Sequence, residues 1–132
     1  MLRKAHLLTG VAGLIVFVLQ GQYMDLFHAH LTTMADGPRM LFRSSHIYLL
    51  LASVLNVVLG VYLRDDSSLI HRWIQIVVST VVLLSPIGLL AGFFLEPGMD
   101  ELVRQYTRPV LYGLFGSGVL LGAVAIAGWR RL

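Results

Sequence analysis

The chain has 132 residues, 57% hydrophobic and 13% charged, with a formal charge of +3. Ordinary soluble domains run near 45–50% apolar and roughly 25% charged, so the composition excludes that class and predicts a single membrane-embedded domain. The basic excess forms no patch interleaved with aromatics, which argues against nucleic-acid binding, and the lack of cysteine removes disulfides, thiolate metal sites, iron–sulfur clusters and thiol catalysis.

Arg3 and Lys4 precede an apolar run over residues 7–19, as at the front of a signal peptide. The run ends in Gln20-Gly21-Gln22-Tyr23-Met24-Asp25 without a small-x-small cleavage site, so an uncleaved first span is expected. Crossing about 30 Å of hydrocarbon takes about 20 mostly apolar residues at 1.5 Å rise. Four segments meet that need, at about 7–27, 47–63, 69–95 and 109–129. The second is short and the third long, so their tilts should differ. Pro86 is expected to kink the third helix, Pro97-Gly98 to end it, and Pro109 to sit in the first turn of the fourth.

Together these features predict an all-α integral membrane protein: a four-transmembrane-helix up-down bundle with its N- and C-termini on the cytoplasmic side. Arg3, Lys4, Arg64, Arg72, Arg130 and Arg131 then lie inside, and Arg39, Arg43, Arg104 and Arg108 outside, a modest positive-inside bias. Tyr62, Trp73 and Trp129 fall at one interface and Tyr23, Tyr48, Tyr106 and Tyr112 at the other, as an aromatic belt would. The location implied is the cell inner membrane, multi-pass, which is the plasma membrane in a bacterium.

Spacing also predicts which faces meet. On the first helix His6, Gly10, Gly13, Phe17, Gly21, Met24 and His28 recur at intervals of three or four; on the second His46, Leu49, Ser53, Asn56 and Gly60 do the same. Small and polar residues on one stripe mark helix contact in lipid, and Asn56, in mid-helix, must find a partner across the bundle. The fourth helix carries Gly113, Gly116, Gly118 and Gly122, glycine-rich faces able to serve the bundle, a homo-oligomer or a larger membrane complex.

The chemical residues concentrate in the stretch 23–46, which holds three of the five histidines and three of the five methionines. His28 and His46 end the two inward stripes at the outer rim, where they are expected to converge. Met24, one turn before His28, and Asp25, three residues before it, could join them, and His30 could reach from the following loop; the candidate metal set is His28, His46, Met24 and His30. Imidazole suits copper and zinc, and thioether adds a preference for Cu(I). The same two imidazoles could instead clamp haem b axially, with Arg39 and Arg43 for the propionates. For Arg43, structural pairing with Asp25 or Glu96 is the expectation ahead of holding an anionic ligand. The plainer reading of these histidines is interfacial, bonded to carbonyls or headgroups. His6 and His71 form an inner pair, but His6 and His28 lie roughly 33 Å apart along a helix, which places both at headgroup depth. The loop 32–43, with its Asp36-Gly37-Pro38 turn signal, reads as a connection followed by a basic surface piece. Glu96, Asp100 and Glu101 read as a solvated outer loop.

The function expected is haem or copper binding near the outer face through histidines, for electron transfer or metal handling. Four-helix membrane cytochromes of the b type look broadly similar in architecture, although their histidines usually sit deeper. The alternative is a non-catalytic accessory or assembly subunit of a larger membrane complex. A third reading is transport, since the length and four spans resemble the small multidrug resistance exporters. Those exporters imply a proton-coupling glutamate in the first span, and residues 7–19 contain none. No hydrolase arrangement of Ser, His and Asp is present.

Overall fold

The computed structural model describes residues 1–63, 69–99, 101 and 103–129; within these, the side chains of His30, residues 69–71, Ala125 and residues 127–129 lie outside the description. All regular structure among the described residues is helical. Helix α1 spans Leu2–His28, α2 Asp36–Tyr62, α3 Leu69–Leu95 and α4 Thr107–Trp129, with short 3₁₀ turns at Ala29–Leu31 and Glu96–Gly98. Four helices are long and apolar enough to cross a membrane.

The first three helices are each 27 residues long, so the expected contrast between a short second and a long third span is absent. The reason lies at Asp36-Gly37-Pro38. Read as a turn, these residues form the first turn of α2, where proline is tolerated because the leading N–H groups have no intrahelical acceptor. Asp36 suits the positive helix terminus and pairs with Arg39 one turn on, so the helix starts about ten residues earlier than the apolar pattern suggests.

Neighbouring helices run antiparallel. Gly10 and Gly13 face Val57 and Ser53, while Gly60 faces Leu7; Asn56 reaches Val82; Gly88 faces Val110 and Gly92 faces Thr107. The helices pack in chain order, α1 on α2, α2 on α3 and α3 on α4, which leaves α2 and α3 central and α1 and α4 on the flanks.

The interfaces differ in kind. Between α2, α3 and α4 the core is aliphatic, built on Ala52, Val82, Leu89 and Leu114. Between α1 and α2 it is made of small and polar groups: His6, Gly10, Gly13 and Gln20 against Ser45, Ser53, Asn56 and Gly60. A Cβ on Gly10 would stand 2.7 Å from the Val57 backbone nitrogen, and one on Gly60 2.7 Å from that of Leu7, so glycine is required for this approach. Ser53 meets Gly13 even more closely and satisfies its own hydroxyl on the Leu49 carbonyl. Close backbone contact and hydrogen bonding of this sort hold helices together where lipid removes the hydrophobic drive. The outward faces of α1 and α4 carry Leu8, Ile15, Leu19, Val119 and Ile126 largely exposed, a surface compatible with hydrocarbon as solvent.

Candidate functional site

Each of the described histidine side chains, His6, His46 and His28, marks a centre along the bundle. The first joins α1, α2 and α3. Asn56, fully buried, donates its amide N–H groups to the carbonyls of Ala52 at 2.9 Å and Val82 at 3.0 Å. The Val82 carbonyl is available because Pro86, four residues later, has no N–H to give it; Ser85 Oγ donates to it as well, at 2.8 Å. With both donors used, Asn56 Oδ1 accepts from His6 Nδ1–H at 2.7 Å. The tautomer of His6 is thereby set, and Nε2 carries the lone pair, buried and without a hydrogen-bond partner. His6, read from sequence as an interfacial residue, is wholly enclosed by the bundle. The side chain of His71 lies outside the described residues.

The second centre is His46. Its ring lies flat on Phe17, centroids 3.9 Å apart at 12°, and Nδ1 is 3.3 Å from Gln20 Oε1. A Cβ on Gly21 would come within 3.7 Å of the ring, so the imidazole fills the α1–α2 seam against the backbone of α1.

The third centre is the rim where α1 turns into α2. His28 sits edge-on to Tyr23, with centroids 5.3 Å apart, and tilted on Phe42 at 5.1 Å. Phe42 continues into Phe93 and Phe94, so the half-buried imidazole abuts an aromatic wall drawn from three helices. His28 Nε2 is buried there without a hydrogen-bond partner. The turn that follows is strained: Ala29 has φ 44° and Leu31 φ 63°, and Leu31 is driven into the wall with 2% of its surface exposed. Met24 and Met34 both pack on the cluster of Leu31, Phe42 and Phe93.

The structure therefore distributes the residues singled out from sequence. His28 and Met24 share the rim, whereas His46 lies one turn along α2 from Phe42 and is held by Phe17 and Gln20. No ring contact or hydrogen bond joins the two imidazoles among the described residues. The His30 side chain lies outside them. Arg39 is paired with Asp36 in its own helix, and Arg43 is exposed on α2. No group of three or more His, Asp or Glu side chains is placed to hold a metal ion among the described residues.

Glu96 departs furthest from its reading as a solvated loop residue. It is fully buried; Oε1 accepts the backbone N–H groups of Tyr106 at 2.8 Å and Thr107 at 2.7 Å, and Oε2 accepts the Thr107 hydroxyl at 2.7 Å. A carboxylate at the start of α4 satisfies orphan donors and meets the positive end of the helix. Gly92, one turn back on α3, leaves room for that contact, since a Cβ there would collide with Thr107 Oγ1. Asp100 lies outside the described residues.

Met34 and the Glu96 cap were missed in sequence, because each depends on where the chain re-enters the bundle after a turn. No protein-family model, curated protein or solved structure matches this chain.

Proposed function

We propose that this chain is a multi-pass membrane protein, inserted with both termini on the cytoplasmic side, whose opposite rim takes up a metal ion through His28 for metal handling. Copper is the metal its neighbours suit best. The observation that carries the reading is the buried Nε2 of His28, which has no hydrogen-bond partner and sits beside the Met24–His28 turn of α1. A buried imidazole nitrogen beside aromatic rings and left without a donor or acceptor is costly unless something occupies it.

Haem b clamped by His28 and His46 fits this arrangement less well. The His46 ring is wedged between Phe17 and Gly21, and Arg39, one of the two arginines suited to propionates, is already paired with Asp36. The deciding experiment is metal analysis with a visible spectrum on detergent-purified protein, in wild type, His28→Ala and His46→Ala. Stoichiometric copper in wild type and His46→Ala, lost in His28→Ala, is the expected result. A Soret band abolished by either substitution would transfer the site to a bis-histidine haem.

One observation favours the accessory-subunit reading as second. A Cβ at Gly116, Gly118 or Gly122 would meet no atom within 4 Å among the described residues, so these glycine positions of α4 are open while Leu114 and Ser117 face the bundle. Metal-free protein that copurifies with a stoichiometric partner, and loses it on Gly118→Ile, would establish that role.

A further inference from the structure

The rim's second methionine narrows the kind of ion it takes. We propose that Met24, His28 and Met34 together form a site for a soft monovalent d¹⁰ cation, Cu(I), with Ag(I) as its substitute. The proposal rests on the metal-binding reading of His28 and adds the two thioethers.

Three observations carry it. Met24 lies four residues before His28 and so stands on the same face of α1, one turn below the ring. Met34 comes from beyond the turn, yet packs with Met24 on the cluster of Leu31, Phe42 and Phe93, whose Phe42 is also the ring beneath His28. The segment that brings it there adopts positive φ at two residues out of three, neither a glycine, and one of them a bulky leucine. Such backbone persists only where the surroundings enforce it, and it recurs at ligand clamps. Here it buries Leu31 and returns Met34 to the cluster whose Phe42 ring also meets His28.

The donor chemistry follows. One imidazole nitrogen and two thioether sulfurs are all neutral, and the lining rings of Tyr23 and Phe42 are weakly polar at best. Thioethers select Cu(I) over harder ions. A divalent ion in such surroundings would want a cluster of carboxylates, but Glu96 is committed to the start of α4, and even with Asp25 counted no group of three His, Asp or Glu is placed to hold a metal ion among the described residues. A single positive charge facing aromatic rings is the easier one to hold.

The test is anaerobic competition for Cu(I) against a chromophoric chelator, on full-length protein in detergent. Wild type is compared with Met24→Leu, Met34→Leu, Met40→Leu and His28→Ala, and Zn(II) and Cu(II) are titrated in parallel. Leucine conserves volume, and circular dichroism melting checks that the fold survives. Expected is one Cu(I) per chain, weakened about tenfold or more by Met24→Leu and by Met34→Leu, and unchanged by Met40→Leu, whose side chain is exposed. X-ray absorption should show two sulfur neighbours. If Met34→Leu binds like wild type while His28→Ala abolishes binding, the thioether site is wrong and the metal reading of the rim stands. If Met40→Leu weakens binding as much as Met34→Leu, the thioether site is likewise overturned. If wild type takes up none of the three ions, both fall.

Discussion

At the scale of single residues, buried polar atoms decide most of what is specific to this protein. Glu96 is the clearest case, since one carboxylate satisfies two backbone N–H groups and a hydroxyl at the start of α4. Glu96→Gln keeps a carbonyl for the two N–H groups and an amide that the Thr107 hydroxyl can accept from, so it loses chiefly the charge at the helix terminus, about 0.5–1 kcal/mol. Glu96→Ala strands both N–H groups in a buried corner, and each unsatisfied group costs about 1–3 kcal/mol. Thermal unfolding in detergent should therefore rank wild type and Gln close together and Ala well below. A Gln variant as unstable as Ala would show that the negative charge dominates. His28 and His6 share the opposite condition, a buried Nε2 without a partner. They differ in surroundings: His6 lies against Asn56, whereas His28 lies on Tyr23 and Phe42, and Phe42 belongs to the cluster on which Met24 and Met34 pack.

At the scale of helices, Pro86 and Asn56 act on one carbonyl. Proline removes the N–H that Val82 would otherwise receive, and Asn56 supplies one from α2. Asn56→Ala should destabilise the bundle by about 1–3 kcal/mol, since it strands His6 Nδ1–H and leaves Val82 O with the Ser85 hydroxyl as its donor. In a Pro86→Ala background the helix regains its own donor for Val82, so the same substitution should cost less. The two changes should couple in a double-mutant cycle by about 0.5–1.5 kcal/mol, read from denaturation in mixed micelles. Strict additivity would mean that the Asn56 amide does not compensate for the proline. A similar logic operates at the end of α2, where the Arg3 side chain donates to the carbonyls of Gly60 and Val61 and so ties the start of α1 to the last turn of its neighbour.

For the molecule as a whole, the contrast is between glycines that are used and glycines that are open. Gly10→Ile forces a branched side chain into the backbone of Val57, and overpacking of this kind costs about 1–3 kcal/mol or more. Gly118→Ile projects into space with no neighbour within 4 Å of its Cβ among the described residues. The expected outcome in detergent is a clear loss of thermal stability for the first and none for the second. If Gly118→Ile destabilises the isolated monomer as strongly as Gly10→Ile, α4 packs more tightly on the bundle than its surroundings indicate. The flanking positions of α1 and α4 suit this division, because each turns much of its circumference outward while α2 and α3 carry the aliphatic core.

Sequence alone determined the helical class, the four segments long enough to cross a bilayer and the stripes by which α1 and α2 meet, because these depend on local periodicity and on the amount of apolar surface. Asn56 was recognisable as needing a partner for the same reason: an amide in mid-span has no water to turn to. The start of α2 was not legible, since Asp-Gly-Pro suits both a turn and a first helical turn, and the choice falls to the packing of Leu41, Phe42 and Ser45 further along. Convergence of His28 with His46 was inferred from two stripes ending at one rim, but side chains a turn apart in height meet different neighbours, which only the register of the two helices reveals. The Glu96 cap and the approach of Met34 likewise join residues across turns. Such contacts leave no periodic trace in the sequence, so the tertiary structure alone decided them.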